Sequence, residues 1–217
     1  MSIIKPPEKE PKFPQPLLSF CHRRHYAAKT DIVHPGDSAD TLFYLVEGSV
    51  AIIIEDEEGK EIILAYLNKG EFIGEMGLFT AQPSRSVLVR TRSSCTLAEI
   101  SYARLEQLFE SDLKPHVKEL LYAMGAQLTQ RLLHTSRKVG HLAFLDVTGR
   151  IARTLLDLCK QPDAMTHPDG MQIRITRQEI GRIVGCSREM AGRVLKNLEE
   201  QGLISVKGKT IVVFGTR

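Results

Sequence analysis

Short apolar runs separated by turn residues fill the stretch from about Tyr26 to Tyr102. The runs include residues 41–46, 50–54 and 61–67, and four glycines, Gly36, Gly48, Gly59 and Gly70, follow one another at intervals of 12, 11 and 11 residues. Regularly spaced short strands of this kind indicate an antiparallel barrel or sandwich. Residues 55–60, with their cluster of acidic side chains, predict a solvent-exposed hairpin loop.

After Tyr102 the apolar positions recur at steps of three and four, the period of one helix face. They are Val117, Leu121, Met124, Leu128, Leu132, Thr135, Val139 and Leu142. The stripe predicts one long helix from about Pro115 to His141, and a helix of about 27 residues is about 40 Å long. A barrel of this size cannot cover that length. The part of the apolar stripe that the barrel leaves uncovered therefore favours a two-stranded coiled coil with a second copy of the chain. A plain intramolecular helix is the alternative.

The last third of the chain has the pattern of a separate domain that begins near residues 142–146. Asp146 can cap a helix over 147–160 with Ile151, Leu155 and Leu158 on one face. Residues 161–170 predict an exposed loop, and the alternation of residues 171, 173 and 175 predicts a strand.

A helix-turn-helix is predicted between Thr176 and Gly202. Thr176 and Glu179 fit a capping box at the start of the first helix. Gly185 permits a positive φ in the turn, and Ser187 can cap a second helix that runs to Gln201. Residues 203–206, a turn at Lys207 to Lys209 and residues 210–214 then predict a hairpin, which makes the unit a winged helix with lysines at its tip for DNA phosphates.

The second of these helices has two different faces. Ala191, Val194, Leu195 and Leu198 form an apolar face, and Arg188, Glu189, Gly192, Arg193 and Lys196 lie on the opposite face. Arginine can bind guanine and glutamate can accept from cytosine, so the polar face is suited to reading bases in the major groove. The alternative is an ordinary solvated helix face. The agreement of caps, turn, helices and wing favours DNA binding.

Composition and charge fit this interpretation. The 217 residues are 42% hydrophobic, which is enough for packed cores. No stretch approaches eighteen consecutive apolar residues, and the N-terminus lacks the apolar segment of a secretory signal, so a cytoplasmic protein is predicted. Residues 1–16 hold five of the ten prolines and predict a flexible tail. The four widely spaced cysteines, Cys21, Cys95, Cys159 and Cys186, predict buried thiols rather than a zinc site or disulfides.

Residues 146–217 carry 12 Lys and Arg against 8 Asp and Glu, whereas residues 1–145 carry 17 against 18. The positive excess near the C-terminus favours a polyanionic partner.

An anion site is indicated by the segment from Gly70 to Arg85. Amides around Gly74 and Gly77 can converge on a phosphate, and Arg85 offers a charged fork for its oxygens. Glu75 can accept a hydrogen bond from a ribose hydroxyl. The pattern alone is not specific, because such glycine turns are common in all-β proteins.

Three segments together resemble the cyclic-AMP receptor protein (catabolite activator protein) group of the Crp/Fnr family, and most closely its virulence-factor-regulator branch. They are residues 74–79 with 85–86, residues 138–150 and residues 176–193. The resemblance covers nearly everything from Cys21 to Arg217. Its departures are Pro83 before Arg85, a longer segment over 104–124, and the N-terminal tail.

The resemblance implies an α+β fold: an N-terminal cyclic-nucleotide-binding β-roll (a double-stranded β-helix, jelly-roll-like), a long dimerisation helix and a C-terminal winged helix-turn-helix. The expected bounds are 1–16 for the tail, 17–112 for the β-roll, 113–142 for the dimerisation helix and 146–217 for the DNA-binding domain. The implied function is that of a bacterial, homodimeric, allosteric transcription regulator that binds cyclic AMP and two-fold DNA sites with TGTGA-like half-sites.

The resemblance also implies site residues, each at a matching position of this chain. The main cyclic-AMP site would comprise Gly74, Glu75, Met76, Arg85, Ser86, Arg131, Thr135 and Ser136, with Ser136 from the partner copy. A second nucleotide site would comprise Gly59, Lys60, Glu61, Ile62, Ile63, Leu64, Ala65, Ala143, Phe144, Gln178 and Arg188. DNA would be bound by Thr176, Arg177, Gln178, Ser187, Arg188, Glu189, Arg193, Lys196, Lys207 and Lys209. RNA polymerase would contact Asp163, Ala164, Met165, Thr166, His167, Pro168, Asp169 and Gly170, and also His22, Arg24 and Arg104.

Two rival functions are disfavoured. A phosphoester hydrolase would need paired carboxylates, a metal-ligand cluster or a nucleophile with its base, and the candidate pocket segment shows none of these. A redox or gas sensor on the same fold would need more ligands than Cys21 and Cys95 to hold an iron–sulfur cluster. A metal-free regulator that is not an enzyme is therefore the prediction.

Overall fold

The computed structural model describes residues 15–80 and 83–216. Within these residues the chain divides into two compact units, one made of residues 15–54 and 65–133 and the other of residues 55–64 and 134–216. Most of the predicted tail, residues 1–14, lies outside the described residues. Gln15 and Pro16, which the tail prediction also included, instead begin a short helix, α1 (Gln15–Leu18), and Leu17 of this helix is buried.

Eight strands lie between α1 and Tyr102 and form two four-stranded sheets, in the orders β1-β8-β3-β6 and β2-β7-β4-β5. This double sheet confirms the prediction of short strands in a β-roll. The strands are β1 (His22–Tyr26), β2 (Asp31–Val33), β3 (Thr41–Glu47), β4 (Ser49–Glu55), β5 (Glu61–Asn68), β6 (Phe72–Ile73), β7 (Leu88–Thr91) and β8 (Cys95–Ser101).

Strand β3 is buried on both faces, which explains why its sequence is an unbroken apolar run. Phe43 and Leu45 belong to a core cluster with Val50 and Val89 of the other sheet. Leu42 and Tyr44 point to the opposite face and pack in a second cluster. That cluster is completed by α1, by α2 (Tyr102–Glu110) and by the first turns of the long helix.

The long helix, α3, spans Val117–Phe144. It begins two residues later than predicted, because a single 3-10 turn occupies Lys114–His116 and contains Pro115. Leu120, Ala123 and Met124 in its first turns are buried.

The predicted stripe of α3 stays exposed over its second half. Leu132 is 67% exposed, Val139 60% and Leu142 50%. These residues follow the spacing of a coiled-coil seam, and in the described chain they meet solvent.

The C-terminal unit contains α4 (Val147–Leu158), α5 (Arg177–Val184) and α6 (Arg188–Glu200) packed with a sheet in the order β11-β12-β10-β9. The strands are β9 (Met165–His167), β10 (Gly170–Arg174), β11 (Ile204–Lys207) and β12 (Thr210–Phe214). One prediction is wrong here. Residues 161–170 are not purely a loop, because β9 pairs with β10 around a tight turn at Pro168 and Asp169.

Candidate functional site

Gly74 begins a short 3-10 helix, Glu75–Leu78, in the loop that follows β6. Its φ of +88° lies in the left-handed region, which favours glycine. A Cβ at this position would lie 2.5 Å from Nη1 of Arg85 and 2.9 Å from the Thr41 carbonyl oxygen. Gly74 is therefore required both by its conformation and by the close approach of the Arg85 guanidinium.

Arg85 is half-buried and held at both its backbone and its side chain. Its amide donates to the Asp37 carbonyl at 2.8 Å. Its guanidinium donates from Nη2 to the Thr41 carbonyl and from Nη1 to the Tyr102 hydroxyl, the latter at 3.3 Å. A guanidinium has five N–H donors, so Arg85 can keep both hydrogen bonds and still bind an anion beside Gly74.

Pro83 is one of the departures from the family pattern, but the segment that leads to Arg85 still pairs with the neighbouring backbone. The Pro83 carbonyl accepts from the Ala39 amide at 3.3 Å, and Ser84 forms a bridge with Ser38. Proline removes a donor but keeps its acceptor, and the acceptor is what this contact uses.

Glu75 is a carboxylate with 2% exposure, and it forms an ion pair with Nη1 of Arg131 from α3. Its second oxygen, Oε2, is buried and has no hydrogen-bond partner among the described residues. A buried carboxylate oxygen is costly unless a donor satisfies it. The loop therefore presents an unused acceptor next to Gly74.

Two side chains of α3 hold the backbone before this loop. The amide of Gln127 donates to the Gly70 carbonyl at 2.8 Å and accepts from the Phe72 amide at 2.9 Å. Arg131 donates from Nη2 to the Phe72 carbonyl. Sequence reasoning did not single out Gln127, and no spacing signal marks it. The loop and the helix are thus joined by direct hydrogen bonds.

The remaining residues predicted for the main site are exposed. Met76 and Ser86 lie at the surface of the N-terminal unit, and Thr135 and Ser136 lie on exposed positions of α3. The structure thus brings together Gly74, Glu75, Arg85 and Arg131.

Residues 55–64, at the tip of the β4–β5 hairpin, are part of the C-terminal unit. Glu61 forms an ion pair with Arg182 of α5 at 3.0 Å, and Lys138 of α3 donates to the Ile63 carbonyl. Burial lowers the pKa of Lys138 to about 8. Sequence reasoning missed Arg182 and Lys138.

The predicted second-site residues differ in exposure. Phe144 is 87% exposed, and Gln178 and Arg188 are exposed at the starts of α5 and α6. Gly59 adopts a positive φ of +77° in the hairpin turn, and the acidic residues of this turn are exposed as predicted.

The helix-turn-helix is formed by the caps that the sequence predicts. Thr176 accepts from the Glu179 amide, Gly185 is left-handed with a φ of +71°, and Ser187 accepts from the Met190 amide. Gly181 was missed. A Cβ there would lie 2.6 Å from the Cys186 carbonyl oxygen, so this glycine lets the turn pack against α5.

The two faces of α6 are confirmed. Ala191, Val194, Leu195 and Leu198 are buried. The residues predicted to meet DNA are exposed at the positions expected of a recognition helix and wing, namely Arg177, Gln178, Ser187, Arg188, Glu189, Arg193, Lys196, Lys207 and Lys209, with Thr176 partly buried as the cap of α5. In this arrangement cationic and hydrogen-bonding side chains project together from the first turns of α6.

The residues predicted to contact RNA polymerase are divided between the two units. His22 and Arg24 are exposed on β1, and Arg104 is exposed at the start of α2. The other set follows the β9–β10 hairpin, where Pro168 and Asp169 line a shallow hollow with Phe214 and Gly215.

All four cysteines are free thiols. Cys95 and Cys159 are buried, as predicted, but Cys21 and Cys186 are partly exposed, so the prediction of burial is wrong for these two. The partial burial of the Cys21 thiol is still enough to raise its pKa to about 11.

No helix among residues 15–80 and 83–216 combines the length and the apolar character needed to cross a membrane. No three His, Cys, Asp or Glu side chains in the same ranges are grouped so as to hold a metal ion.

Comparison with known proteins assigns both halves of the chain. Residues 23–112 match the cyclic nucleotide-binding domain, and residues 149–214 match the Crp-like helix-turn-helix domain. The chain is 63% identical over 204 residues to the cAMP-activated global transcriptional regulator Vfr of Pseudomonas aeruginosa, covering 93% of each protein. It is 57% identical over 215 residues to the cAMP-activated global transcriptional regulator CRP of Escherichia coli O6:H1, covering 99% of this chain and 100% of that one.

A solved structure agrees with the fold as well. The c-di-GMP responsive global regulator CLP of Xanthomonas campestris superposes with a TM-score of 0.88 at 56% identity, over 92% of this chain and 97% of that chain. The matched relatives are transcription regulators, not enzymes. With a nucleotide-binding domain followed by a DNA-binding one, this chain belongs to the Crp/Fnr family of transcription regulators.

Proposed function

We propose that this protein is a cytoplasmic homodimer that binds cyclic AMP, and then binds two-fold symmetric promoter sites and contacts RNA polymerase. The observation that carries the effector assignment is the buried Oε2 of Glu75, which has no hydrogen-bond partner among the described residues. Glu75 directly follows Gly74, and the Arg85 guanidinium closely approaches Gly74. A cyclic nucleotide offers a ribose hydroxyl to satisfy that oxygen and a singly charged phosphate to bind Arg85.

The exposed stripe of α3 supports the dimer. Leu132, Val139 and Leu142 are at least half exposed in the single chain, and a second copy of the same helix would bury them as a coiled-coil seam. Thr135 lies on this stripe, and Ser136 lies next to it. In the dimer these two hydroxyls would reach adenine, Ser136 from the partner copy.

The contacts of Gln127 and Arg131 would couple nucleotide binding to the coiled-coil seam of α3. Both side chains lie on α3 and form hydrogen bonds with backbone groups next to the loop that follows β6. A nucleotide that binds one arrangement of the loop better than another therefore also favours one arrangement of α3. In the favoured arrangement the two recognition helices would lie about 34 Å apart, one turn of DNA.

On DNA, the bases would be read by four side chains of α6, namely Arg188, Glu189, Arg193 and Lys196. The phosphates would be bound by the wing lysines together with Thr176, Arg177, Gln178 and Ser187. The β9–β10 hairpin would contact RNA polymerase, with His22, Arg24 and Arg104 as a second surface. The hairpin residues Gly59 to Ala65, with Ala143, Phe144, Gln178 and Arg188, are proposed as a weaker second nucleotide site.

Calorimetric titration with cyclic AMP, cyclic GMP and cyclic di-GMP, each followed by a gel shift on a TGTGA-type two-fold site, tests the proposal. Cyclic AMP should bind and should tighten DNA binding. Tightening by cyclic di-GMP alone would instead assign the effector named for CLP, and DNA affinity that ignores all three would contradict effector control.

An Arg85→Leu variant tests the site itself. Removing the guanidinium from a largely buried phosphate should cost about 3–5 kcal/mol of binding free energy. Arg23→Leu, which removes an exposed arginine of β1, is the matched control and should bind normally. An unchanged dissociation constant for Arg85→Leu would show that the phosphate lies elsewhere.

A further inference from the structure

Tyr102 is the first residue of α2, and its backbone is fixed on both sides. Its amide donates to the Asp40 carbonyl at 2.8 Å. Ser101, the preceding residue, caps α2 by accepting from the Arg104 amide. The ring is partly buried against the core cluster that contains Leu105 and Leu108. The side chain therefore reaches Gly74 and Gly77, in the loop that follows β6, from the fixed N-terminal end of α2.

The Tyr102 hydroxyl joins two parts of the candidate site. It donates its one hydrogen to the Gly74 carbonyl and accepts from Nη1 of Arg85 at 3.3 Å. Because the hydrogen is committed to Gly74, a lone pair of the hydroxyl faces Arg85. The Arg85 Cζ also lies 6.0 Å from the centre of the Tyr102 ring, at the limit of a cation–π contact.

The loop is shaped to accept this ring. A Cβ at Gly77 would lie 2.5 Å from the Tyr102 hydroxyl oxygen and 2.8 Å from its Cε2, closer than atoms can approach. Gly77 is therefore explained by Tyr102 and not by a positive φ. Both glycines of the loop are needed because of neighbouring side chains, Gly74 because of Arg85 and Gly77 because of Tyr102.

We propose that Tyr102 is a positioning residue of the nucleotide site, which sets the Arg85 guanidinium and the Gly74 loop in register for the cyclic phosphate. The inference rests on the proposed function. Tyr102 need not touch the nucleotide, because its hydroxyl acts through Arg85. Three further N–H donors of Arg85 stay available for the phosphate. A residue of this kind raises affinity by reducing the reorganisation that binding requires.

The test is Tyr102→Phe, which removes the hydroxyl and keeps the ring that packs on Gly77. Because a half-buried carbonyl and a guanidinium each lose a partner, the dissociation constant for cyclic AMP should rise about tenfold. Tyr26→Phe is the matched control, since its hydroxyl donates to Glu99 at 2.7 Å in the same unit but away from the loop. Its dissociation constant should change less than about twofold.

A double-mutant cycle separates positioning from general stability. In an Arg85→Lys background the Tyr102→Phe effect on cyclic-AMP affinity should shrink to less than about threefold, because the two residues act as one unit. The same factor in both backgrounds, or a change no larger than that of Tyr26→Phe, would overturn the inference. If Arg85→Lys itself leaves affinity unchanged, the proposed phosphate site fails instead, and the inference fails with it.

Discussion

The carboxylate of Glu75 is 2% exposed and is paired with the guanidinium of Arg131, which reaches it from helix α3. Breaking a buried pair leaves a charge without compensation, so Arg131→Met should lower the free energy of unfolding by about 3 kcal/mol. Urea denaturation measures this. Combining Arg131→Met with Glu75→Gln removes both charges and should restore part of the loss. A double variant less stable than the single one would show that Glu75 does not need the pair.

The seam on α3 predicts the effect of a charge at Leu132. Leu132→Glu places two carboxylates opposite each other in a dimer held by apolar contact, so the variant should be monomeric or weakly dimeric in sedimentation velocity. Gln130→Glu adds the same charge at an exposed position of the same helix and should remain dimeric. A tight Leu132→Glu dimer would place the interface on another surface.

The partly buried ammonium group of Lys138 should make the free energy of unfolding depend on pH. Burial lowers its pKa from 10.5 to about 8, so between these values the unfolded chain holds a proton that the native one has released. Stability contributed by this group therefore rises as pH increases from about 8 to 10.5. The full shift corresponds to about 3 kcal/mol, and residual exposure reduces the measured change to about 1–2 kcal/mol.

The measurement is the unfolding free energy of the wild type minus that of Lys138→Met, taken at pH 7.5 and at pH 10. The difference should move in favour of the wild type at the higher pH. Lys118→Met, at an exposed position of the same helix, should show no such trend. A constant difference for Lys138→Met would mean that its ammonium is solvated.

Arg188 and the wing lysines should differ in what they contribute on DNA. Arg188→Ala should lose about 1–3 kcal/mol on the specific site and much less on scrambled DNA, because base contacts discriminate. Lys207→Ala with Lys209→Ala should weaken both duplexes alike and flatten the slope of log K against log salt by about two per engaged wing. Both are measured at saturating cyclic AMP. Equal losses of affinity on the two duplexes for Arg188→Ala would show that the Arg188 side chain only positions the protein on DNA.

Gly181 should resist a substitution that normally stabilises a helix. Gly→Ala in a helix gains about 1 kcal/mol from propensity, but a Cβ at Gly181 meets the Cys186 carbonyl at 2.6 Å. Overpacking of this kind costs about 1–3 kcal/mol. Gly181→Ala should therefore lower the thermal midpoint and weaken DNA binding.

The matched control is Gly192→Ala in α6, where a Cβ would lie 3.4 Å from Cδ of Arg177, an ordinary contact. This variant should be as stable as the wild type or more so. Similar midpoints for the two variants would show that the turn relaxes at no cost.

Local patterns in the sequence predicted the short strands, the long helix and the winged helix-turn-helix. Helix caps such as Thr176 and Ser187 act within three residues, and a left-handed turn needs a residue such as Gly185. The apolar periods of α3 and α6 are likewise local, so each was readable without knowing what the element packs against. The β9 strand was missed because three residues carry too little alternation to predict pairing.

Only the tertiary structure decided which side chains meet. Tyr102 contacts Gly74, which lies 28 positions away in the chain, and Arg131 meets Glu75 across 56 positions. Such pairs leave no spacing signal, since each depends on how the strands, α2 and α3 pack. The sequence by itself therefore determined the elements and the kind of residue each needs. Tertiary packing decided which groups Tyr102, Gln127, Arg131 and Arg182 contact, because a hydrogen bond or ion pair forms only where the folded chain brings donor and acceptor within about 3 Å.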